Sequence, residues 1–163
     1  MVARASSHLS WKGCIMRSEF FDAAKKHSYQ ADYRGSSSRV KIGAVAVYRR
    51  MIIAKGCNQN KTHPLQQKYN RYRYNVSSNH YCPSKIHAEM ELVTKIQHLD
   101  INFSEVEIYV YRETRDGHKA MARPCPACTR ALRDLGVKKV CYTTNDGYCE
   151  ERYGDCYESC NRH

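Results

Sequence analysis

KIHAEM at residues 85–90 and RPCPAC at residues 123–128 are the two stretches around which the rest of this chain is organised. Together they contain the pattern H-x-E followed by P-C-x-x-C. One His and two Cys at this spacing can hold a zinc ion, while the Glu stays outside the ligand set and moves protons. The predicted zinc ligands are His87, Cys125 and Cys128, and the predicted catalytic residue is Glu89.

The spacing within each motif predicts its local structure. Cys125 and Cys128 stand at i and i+3, so they share one face of a helix, and Pro126 suits the first turn of that helix. His87 and Glu89 are two residues apart and would diverge on a regular helix, so we expect His87 at a helix start. Both halves of the site would then lie at helix N-termini, whose dipoles favour thiolate and hydroxide.

The pair of motifs resembles those of the cytidine deaminase superfamily of zinc-dependent hydrolytic deaminases. Two further segments agree with the resemblance. Residues 41–47, KIGAVAV, are similar to the first strand of those enzymes. Gly56-Cys57-Asn58 is similar to the end of their second strand, where an Asn contacts the sugar of the substrate. The resemblance covers roughly residues 38–150.

The resemblance implies an α/β fold, a three-layer α/β/α sandwich with a mixed sheet of about five strands. Both zinc helices would lie side by side on one face of the sheet. It also implies a Zn²⁺ cofactor, a homo-oligomer and the hydrolytic conversion of cytosine to uracil. Glu89 would take a proton from zinc-activated water and pass it to the ring nitrogen and then to the leaving amine.

Hydrophobic patterning and turn residues predict the order of elements. Asp116-Gly117 indicates a hairpin-like turn, and Gly136 indicates the end of the second zinc helix. The predicted elements are a helix at 17–28, strands at 40–48 and 51–57, a helix from 87 to about 99, a strand at 106–110, the second zinc helix, a strand at 138–144 and a returning strand at 148–153.

The last predicted strand bears on the substrate. Asn145-Asp146-Gly147 is a strong hairpin signal, so residues 148–153 are expected to return antiparallel beside the preceding strand. By resemblance, deaminases of free cytidine have such an antiparallel last strand. The transfer-RNA adenosine, deoxycytidylate and nucleic-acid cytosine deaminases insert a helix and continue parallel. The pattern therefore favours the free-nucleoside architecture.

Length and composition predict one domain of 163 residues, with residues 1–16 as a loose arm. No long apolar run suggests a membrane span or a secretory segment, so we expect a cytoplasmic protein with no membrane partner. Two of the nine Cys residues are assigned to zinc, and the other seven are expected to be reduced.

The net charge of +11 is unevenly distributed. Residues 25–85 contain thirteen Lys and Arg and a single acidic residue, Asp32, which gives a local net charge of +12. Two interpretations stay open: an anionic substrate, and a solvated surface that keeps the protein soluble.

Residues 58–86 are predicted to form a long basic loop that binds the substrate. Its Lys and Arg residues alternate with Tyr, which suits a ligand that carries phosphates and stackable bases. The alternatives are packing against a second subunit and a second zinc site. The predicted substrate contacts are Asn58, Lys61, His63, Arg71, Arg73 and Ala88. The candidate ligands of a second zinc are Cys57, His63, His80 and Cys82, or the C-terminal Cys149, Cys156 and Cys160.

Three functions are compatible with these patterns. The first is deamination of a free cytidine nucleoside or nucleotide. The second is deamination of single-stranded DNA or RNA, for which the basic segment with its Tyr residues is the argument. The third is a zinc-stabilised binding module without turnover. Glu89 argues against the third, because a purely structural zinc site needs no proton carrier.

Overall fold

The computed structural model describes residues 17–31, 40–73 and 85–154. Five strands in these segments form one sheet, in the order β2-β1-β3-β4-β5. The strands are β1 (Lys41–Tyr48), β2 (Met51–Cys57), β3 (Val106–Glu113), β4 (Lys139–Thr143) and β5 (Tyr148–Arg152).

Strand directions make the sheet mixed, as predicted. β1 pairs antiparallel with both β2 and β3, whereas β3 and β4 are parallel. β5 returns antiparallel beside β4, with Cys141 opposite Glu150. The tight connection between β1 and β2 places Arg49 and Arg50 at φ of 49° and 67°, the left-handed conformation that two-residue hairpin turns use.

Within the described residues, four α-helices cover the two faces of the sheet. They are α1 (Ser18–Ser28), α2 (Pro64–Asn70), α3 (Ala88–Ile96) and α4 (Pro126–Leu135), and a short 3₁₀ helix spans Phe103–Glu105. Helix α1 packs on one face, and α3 and α4 lie side by side on the other, with α2 against them. This confirms the predicted three-layer sandwich.

Successive side chains of a strand point to opposite faces of the sheet, so the buried residues divide between two cores. On β1, Ala44 and Ala46 face the layer of α3 and α4, and Val45 and Val47 face α1. The core under α1 is aromatic, since the ring of Phe21 meets that of Tyr109 edge to face with centroids 5.2 Å apart. Each helical layer is therefore held to the sheet by its own apolar core.

The prediction of a loop throughout residues 58–86 was wrong, because helix α2 lies within this segment. Pro64 occupies the first turn, where its missing N–H costs nothing, and Nδ1 of His63 accepts a hydrogen bond from the Leu65 N–H. Gln66 and Tyr69 are buried one turn apart, so packing of this stripe stabilises a short helix in a polar sequence.

Two element ends also differ from the prediction. Helix α3 ends at Ile96, because Leu99 N–H bonds to the Ile96 carbonyl in a tight turn. Strand β3 continues to Glu113, because β1 supplies pairing partners as far as Lys41. The predicted arm at residues 1–16 lies outside the described residues, as do His80, Cys82, Cys156 and Cys160.

Nowhere in the three described segments does a helix have the length and apolar character needed to cross a membrane.

Candidate functional site

His87 is the residue that begins helix α3, as the two-residue spacing to Glu89 predicted. Its backbone is extended, with φ of −82° and ψ of 158°, and Ala88 is the first helical residue. The His87 N–H donates to Oε1 of the buried Gln66 at 3.0 Å. This bond fixes the position of His87 at the helix start, so its side chain can point away from the helix.

Cys125 holds the corresponding place at helix α4. Its backbone is extended, with φ of −65° and ψ of 164°, and Pro126 follows in the first turn. Cys128 lies one turn further along and is fully buried. The helix ends at Gly136, whose φ of 102° is the left-handed conformation that favours glycine at a C-cap.

The two helix starts bring three metal-ligating side chains together. Nδ1 of His87 lies 3.6 Å from Sγ of Cys125 and 3.5 Å from Sγ of Cys128. All three ligand atoms lie within 4.8 Å of one another. One imidazole nitrogen and two thiol sulfurs are a donor set that zinc prefers, and three protein ligands are typical of catalytic zinc. The residues present therefore fit a catalytic zinc ion.

The contact between the two thiols shifts their pKa values in opposite directions. The hydrogen bond from Cys128, assisted by His87, lowers the pKa of the Cys125 thiol to about 4. The same hydrogen bond and burial raise the pKa of Cys128 well above its usual range. Burial alone would lower the pKa of His87, but the Cys125 hydrogen bond and the charge of Glu89 outweigh it and raise that pKa.

Glu89 lies in the first turn of α3 and is 5% exposed. Burial raises the pKa of its carboxyl above the usual range, although the adjacent His87 opposes the rise. The charge of Glu89 also contributes to the raised pKa of Cys128. A buried carboxyl with a raised pKa next to a metal-ligating cluster is suited to accept and return a proton.

Arg73, one of the predicted substrate contacts in residues 58–86, lies beside a residue of the cluster. Its Nη1 is 3.4 Å from Nε2 of His87. Arg71, in contrast, is exposed, donates through Nε to the Lys68 carbonyl at 2.8 Å, and has its guanidinium 5.9 Å from the centre of the Tyr72 ring. The structure thus separates two arginines that the sequence treats alike.

Lys61 and His63 are held by their local structure. The Lys61 carbonyl accepts from the Ile86 N–H at 3.0 Å, which places residue 61 beside the segment that leads into His87, while the Lys61 side chain is exposed. Nδ1 of His63 is used by the Leu65 N–H at the start of α2. The substrate contacts assigned to these two side chains stay predictions.

Asn58 is held by the backbone at the start of β1, and Ala88 lies at the start of α3. Oδ1 of Asn58 accepts from the Ile42 N–H at 2.9 Å, and its Nδ2 donates to the Val40 carbonyl at 3.0 Å. The Asn58 amide therefore ties the end of β2 to the start of β1. Ala88 is fully buried in the first turn of α3.

A sequence profile of the cytidine and deoxycytidylate deaminase zinc-binding region matches residues 16–144. This chain belongs to that deaminase family. The family resemblance predicted from the two motifs is thereby confirmed. No match was found among curated proteins.

Solved structures similar to this family member include the cytidine deaminase from Burkholderia pseudomallei. That likeness is one of fold, with 20% identity, a TM-score of 0.55 and coverage of 85% of this chain and 93% of that chain. The dCMP deaminase from the cyanophage S-TIM5 in apo form has 25% identity, a TM-score of 0.49 and coverage of 77% and 79%. Its complex with dCMP and dUMP has 22% identity, a TM-score of 0.49 and coverage of 77% and 78%.

Two features of this deaminase-family site were missed in the sequence. One is Gln66, whose partner is the His87 backbone; Pro64 followed by a buried stripe was the signal that could have revealed α2. The other is Arg123, which makes a two-pronged ion pair with Glu151 at 2.7 and 2.9 Å. That pair ties the segment before Cys125 to β5, and no local pattern indicates it.

The second-zinc hypothesis for residues 57, 63, 80 and 82 is not supported at His63, because its Nδ1 caps α2. His80 and Cys82 lie outside the described residues. Of the C-terminal candidates, only Cys149 is described, and its thiol lies near the Glu150 carbonyl, at 3.7 Å.

Proposed function

We propose that this chain is a zinc-dependent hydrolytic deaminase that converts cytosine to uracil in a free cytidine or deoxycytidine nucleoside or nucleotide. The observation that carries the proposal is the meeting of His87 Nδ1 with two thiols beside the buried Glu89. Within the described residues, this cluster offers three metal ligands and one acid/base group. A hydrolytic zinc centre needs that combination, whereas a structural zinc centre closes its fourth position.

Each residue of the cluster has a role in the proposed reaction. His87, Cys125 and Cys128 would hold the zinc ion, which would acidify a water to hydroxide at neutral pH. Glu89 would accept one proton from this water and give it to N3 of cytosine, and it would then carry the second proton, from the oxygen added at C4, to the exocyclic amine. The C4–N bond breaks and a C4–O bond forms, so cytosine and water give uracil and ammonia.

The helices support this chemistry electrostatically. His87 and Cys125 precede the first turns of α3 and α4, so the positive ends of two helix dipoles meet at the cluster. Negative charge on the thiolates and on the attacking oxygen is favoured there. Burial of Glu89 and Cys128 lowers the local dielectric and strengthens these interactions.

The antiparallel strand β5 supports a free nucleoside as the substrate. By resemblance, this arrangement belongs to deaminases of free cytidine, whereas the branches that act on deoxycytidylate and polynucleotides continue parallel. Arg73 beside His87 supplies positive charge for a 5′-phosphate. Strand β5 therefore favours a nucleoside, and Arg73 would allow the same site to bind a 5′-phosphate.

A second candidate function, deamination of single-stranded nucleic acid, is favoured by one surface observation. Tyr72 is 43% exposed, and its ring centre lies 5.9 Å from the Arg71 guanidinium and 5.2 Å from that of Arg130. An exposed Tyr between arginines, close to Arg73, can stack a base and bind backbone phosphates. We call Arg71, Tyr72 and Arg130 the basic–aromatic surface.

The test is deamination by the zinc-loaded protein of cytidine, deoxycytidine, their monophosphates and a single-stranded oligonucleotide that contains cytosine. The free-substrate proposal expects turnover of the small molecules. Turnover confined to the oligonucleotide, with a KM that rises steeply with salt, would replace it with the second candidate.

Two variants sharpen this comparison. A Glu89→Ala preparation serves as the blank for contaminating deaminases. Tyr72→Ala with Arg130→Gln removes two of the three side chains of the basic–aromatic surface without changing the metal cluster. If the small molecules are the substrates, this double variant keeps their kcat/KM within about two-fold. No turnover of any cytosine substrate by zinc-loaded protein would contradict both candidates.

A further inference from the structure

Three more side chains of metal-binding type meet outside the candidate catalytic centre. His27 lies near the end of α1, Cys57 ends β2, and Glu91 lies in the first turn of α3. One ligand atom from each lies within 4.8 Å of the others. Cys57 is 2% exposed and Glu91 is 8% exposed. Of these three residues, only Cys57 was among the second-zinc ligands predicted from the sequence.

The fold brings these residues together at the edge of the sheet. Strand β2 is an edge strand, and α1 and α3 pack on its opposite faces. Cys57 pairs with Gly43, where a side chain would collide with the Ala24 carbonyl of α1, so α1 can approach closely. Glu91 reaches the edge of the strand from the other side, and its Oε2 accepts from the Cys57 N–H at 2.7 Å.

Two side chains already contact the Glu91 carboxylate, the neutral amide of Gln59 and the charged amine of Lys95. Nε2 of Gln59 lies 3.0 Å from Glu91 Oε1 and 3.9 Å from Cys57 Sγ. Lys95 Nζ lies 3.2 Å from the same Oε1. The oxygen and nitrogen of the Gln59 amide exchange positions by a half-turn, so this side chain can equally present its oxygen to a cation at that place.

We propose that His27, Cys57 and Glu91 form a second zinc site, which joins α1, β2 and α3. An imidazole nitrogen, a thiolate and a carboxylate oxygen are a mixed donor set that suits zinc better than Mg²⁺ or Ca²⁺. Oε2 of Glu91 keeps a lone pair for the ion, because the Cys57 N–H uses one. Gln59 or a water supplies the fourth ligand.

The ionisation of the cluster is compatible with this site. Burial, reinforced by Lys95, lowers the pKa of His27, so the imidazole is neutral at pH 7 and can ligate a metal. Burial, reinforced by Glu91, raises the pKa of Cys57, so zinc must displace the thiol proton on binding. Lys95 and Lys55 add positive charge nearby.

The first test counts zinc. Protein saturated with zinc and freed of excess by gel filtration is analysed by elemental mass spectrometry. We expect two zinc ions per chain in the wild type and one in His27→Gln and in Cys57→Ser. Cys141→Ser, which removes a buried thiol from the core under α1, keeps two. One zinc in the wild type, or two in His27→Gln, would overturn the proposal.

Deaminase activity separates the two sites. His27→Gln lies outside the candidate catalytic cluster, so its kcat with the preferred cytosine substrate should stay within about two-fold of wild type while one zinc is lost. Cys125→Ser has the opposite outcome, with activity lost and the second zinc retained. Loss of both metals from His27→Gln, with circular dichroism unchanged, would contradict two independent sites.

Cobalt gives a readout that does not depend on counting. In a Cys125→Ser and Cys128→Ser background the catalytic centre has no thiols, so a thiolate-to-cobalt charge-transfer band reports other cysteines. We expect such a band in this background and its loss on adding Cys57→Ser, but not on adding Cys141→Ser. Absence of the band, or its persistence without Cys57, would show that no thiolate of this cluster binds metal.

Discussion

Nη1 of Arg73 lies 3.4 Å from Nε2 of His87, on the ring edge opposite the two thiols. An arginine can only donate, so this contact requires Nε2 to be the acceptor of the ring. If Nδ1 ligates zinc, Nε2 of a neutral imidazole carries the proton and cannot accept. Zinc binding would therefore turn the Arg73 guanidinium away from His87, where it can meet an anionic group of the substrate.

The matched pair Arg73→Gln and Arg71→Gln tests this role. We expect Arg73→Gln to lower kcat/KM for cytidine or deoxycytidine monophosphate about 10- to 100-fold, since a charge-assisted contact is worth about 1.5–3 kcal/mol. The nucleosides, which lack the phosphate, should lose much less. Arg71→Gln should leave both within about two-fold. Steady-state kinetics on the four substrates decide, and an equal loss on nucleosides and nucleotides would argue against a phosphate contact.

Glu89→Gln keeps the shape of the side chain and removes its ability to accept a proton. We expect kcat to fall by at least about 10²-fold, the lower range for a lost general base, while zinc content stays at the wild-type value. Glu105→Gln is the control, because Glu105 is an exposed residue in the 3₁₀ helix just before β3. Zinc loss from Glu89→Gln would mean that Glu89 is a ligand and not a proton carrier.

The sequence predicts most of this site because the chemistry restricts it locally. The offset between His87 and Glu89 requires a helix start, and Pro126 and Gly136 mark both ends of α4. What the sequence does not reveal are contacts between distant polar residues. Gln66 with the His87 backbone is one, and Glu91 with the Cys57 N–H, 34 residues away, is another. Their side chains are common polar types, and only the packing of the helices on the sheet makes them partners.

Gly56 fixes the approach of α3 to β2, and therefore the position of Glu89. A Cβ at residue 56 would collide with the Ala88 carbonyl and lie 3.2 Å from the Leu92 nitrogen. Both atoms belong to the helix backbone and cannot rotate aside. We expect Gly56→Ala to lower the free energy of unfolding by about 1–3 kcal/mol and to reduce kcat. Gly147→Ala is the control, because nothing lies within 4 Å of a Cβ there. Equal denaturant midpoints for the two variants would disprove the tight contact.

Asn58 is expected to contribute to stability as well as to substrate binding. Asn58→Asp keeps the acceptor for the Ile42 N–H but loses the donor to the Val40 carbonyl, and Asn58→Ala loses both. Each hydrogen bond is worth about 0.5–1.5 kcal/mol, so Asn58→Ala should lower the free energy of unfolding in urea by about 1–3 kcal/mol, and Asn58→Asp should also destabilise because its second oxygen faces the Val40 carbonyl. If Asn58 also contacts the sugar, both variants raise KM at a temperature where they are fully folded. An unchanged KM would leave Asn58 with the strand contact alone.

The ion pair of Arg123 and Glu151 should make part of the stability depend on pH. The hydrogen bonds from Arg123 lower the pKa of Glu151 below its usual range, so the folded state binds its proton less tightly than the unfolded state. The contribution is complete above the unfolded pKa of about 4.3 and is lost as the pH falls through the folded value.

Since Arg123 is largely exposed, the pair is worth about 0.5–1 kcal/mol. Arg123→Gln should therefore be less stable than wild type by this amount at pH 7, and the difference should shrink towards zero on acidification. Arg115→Gln, in the exposed turn after β3, should show no such pH-dependent difference. If the difference between Arg123→Gln and wild type stays the same at pH 7 and at acidic pH, Arg123 acts by packing and not through the Glu151 carboxylate.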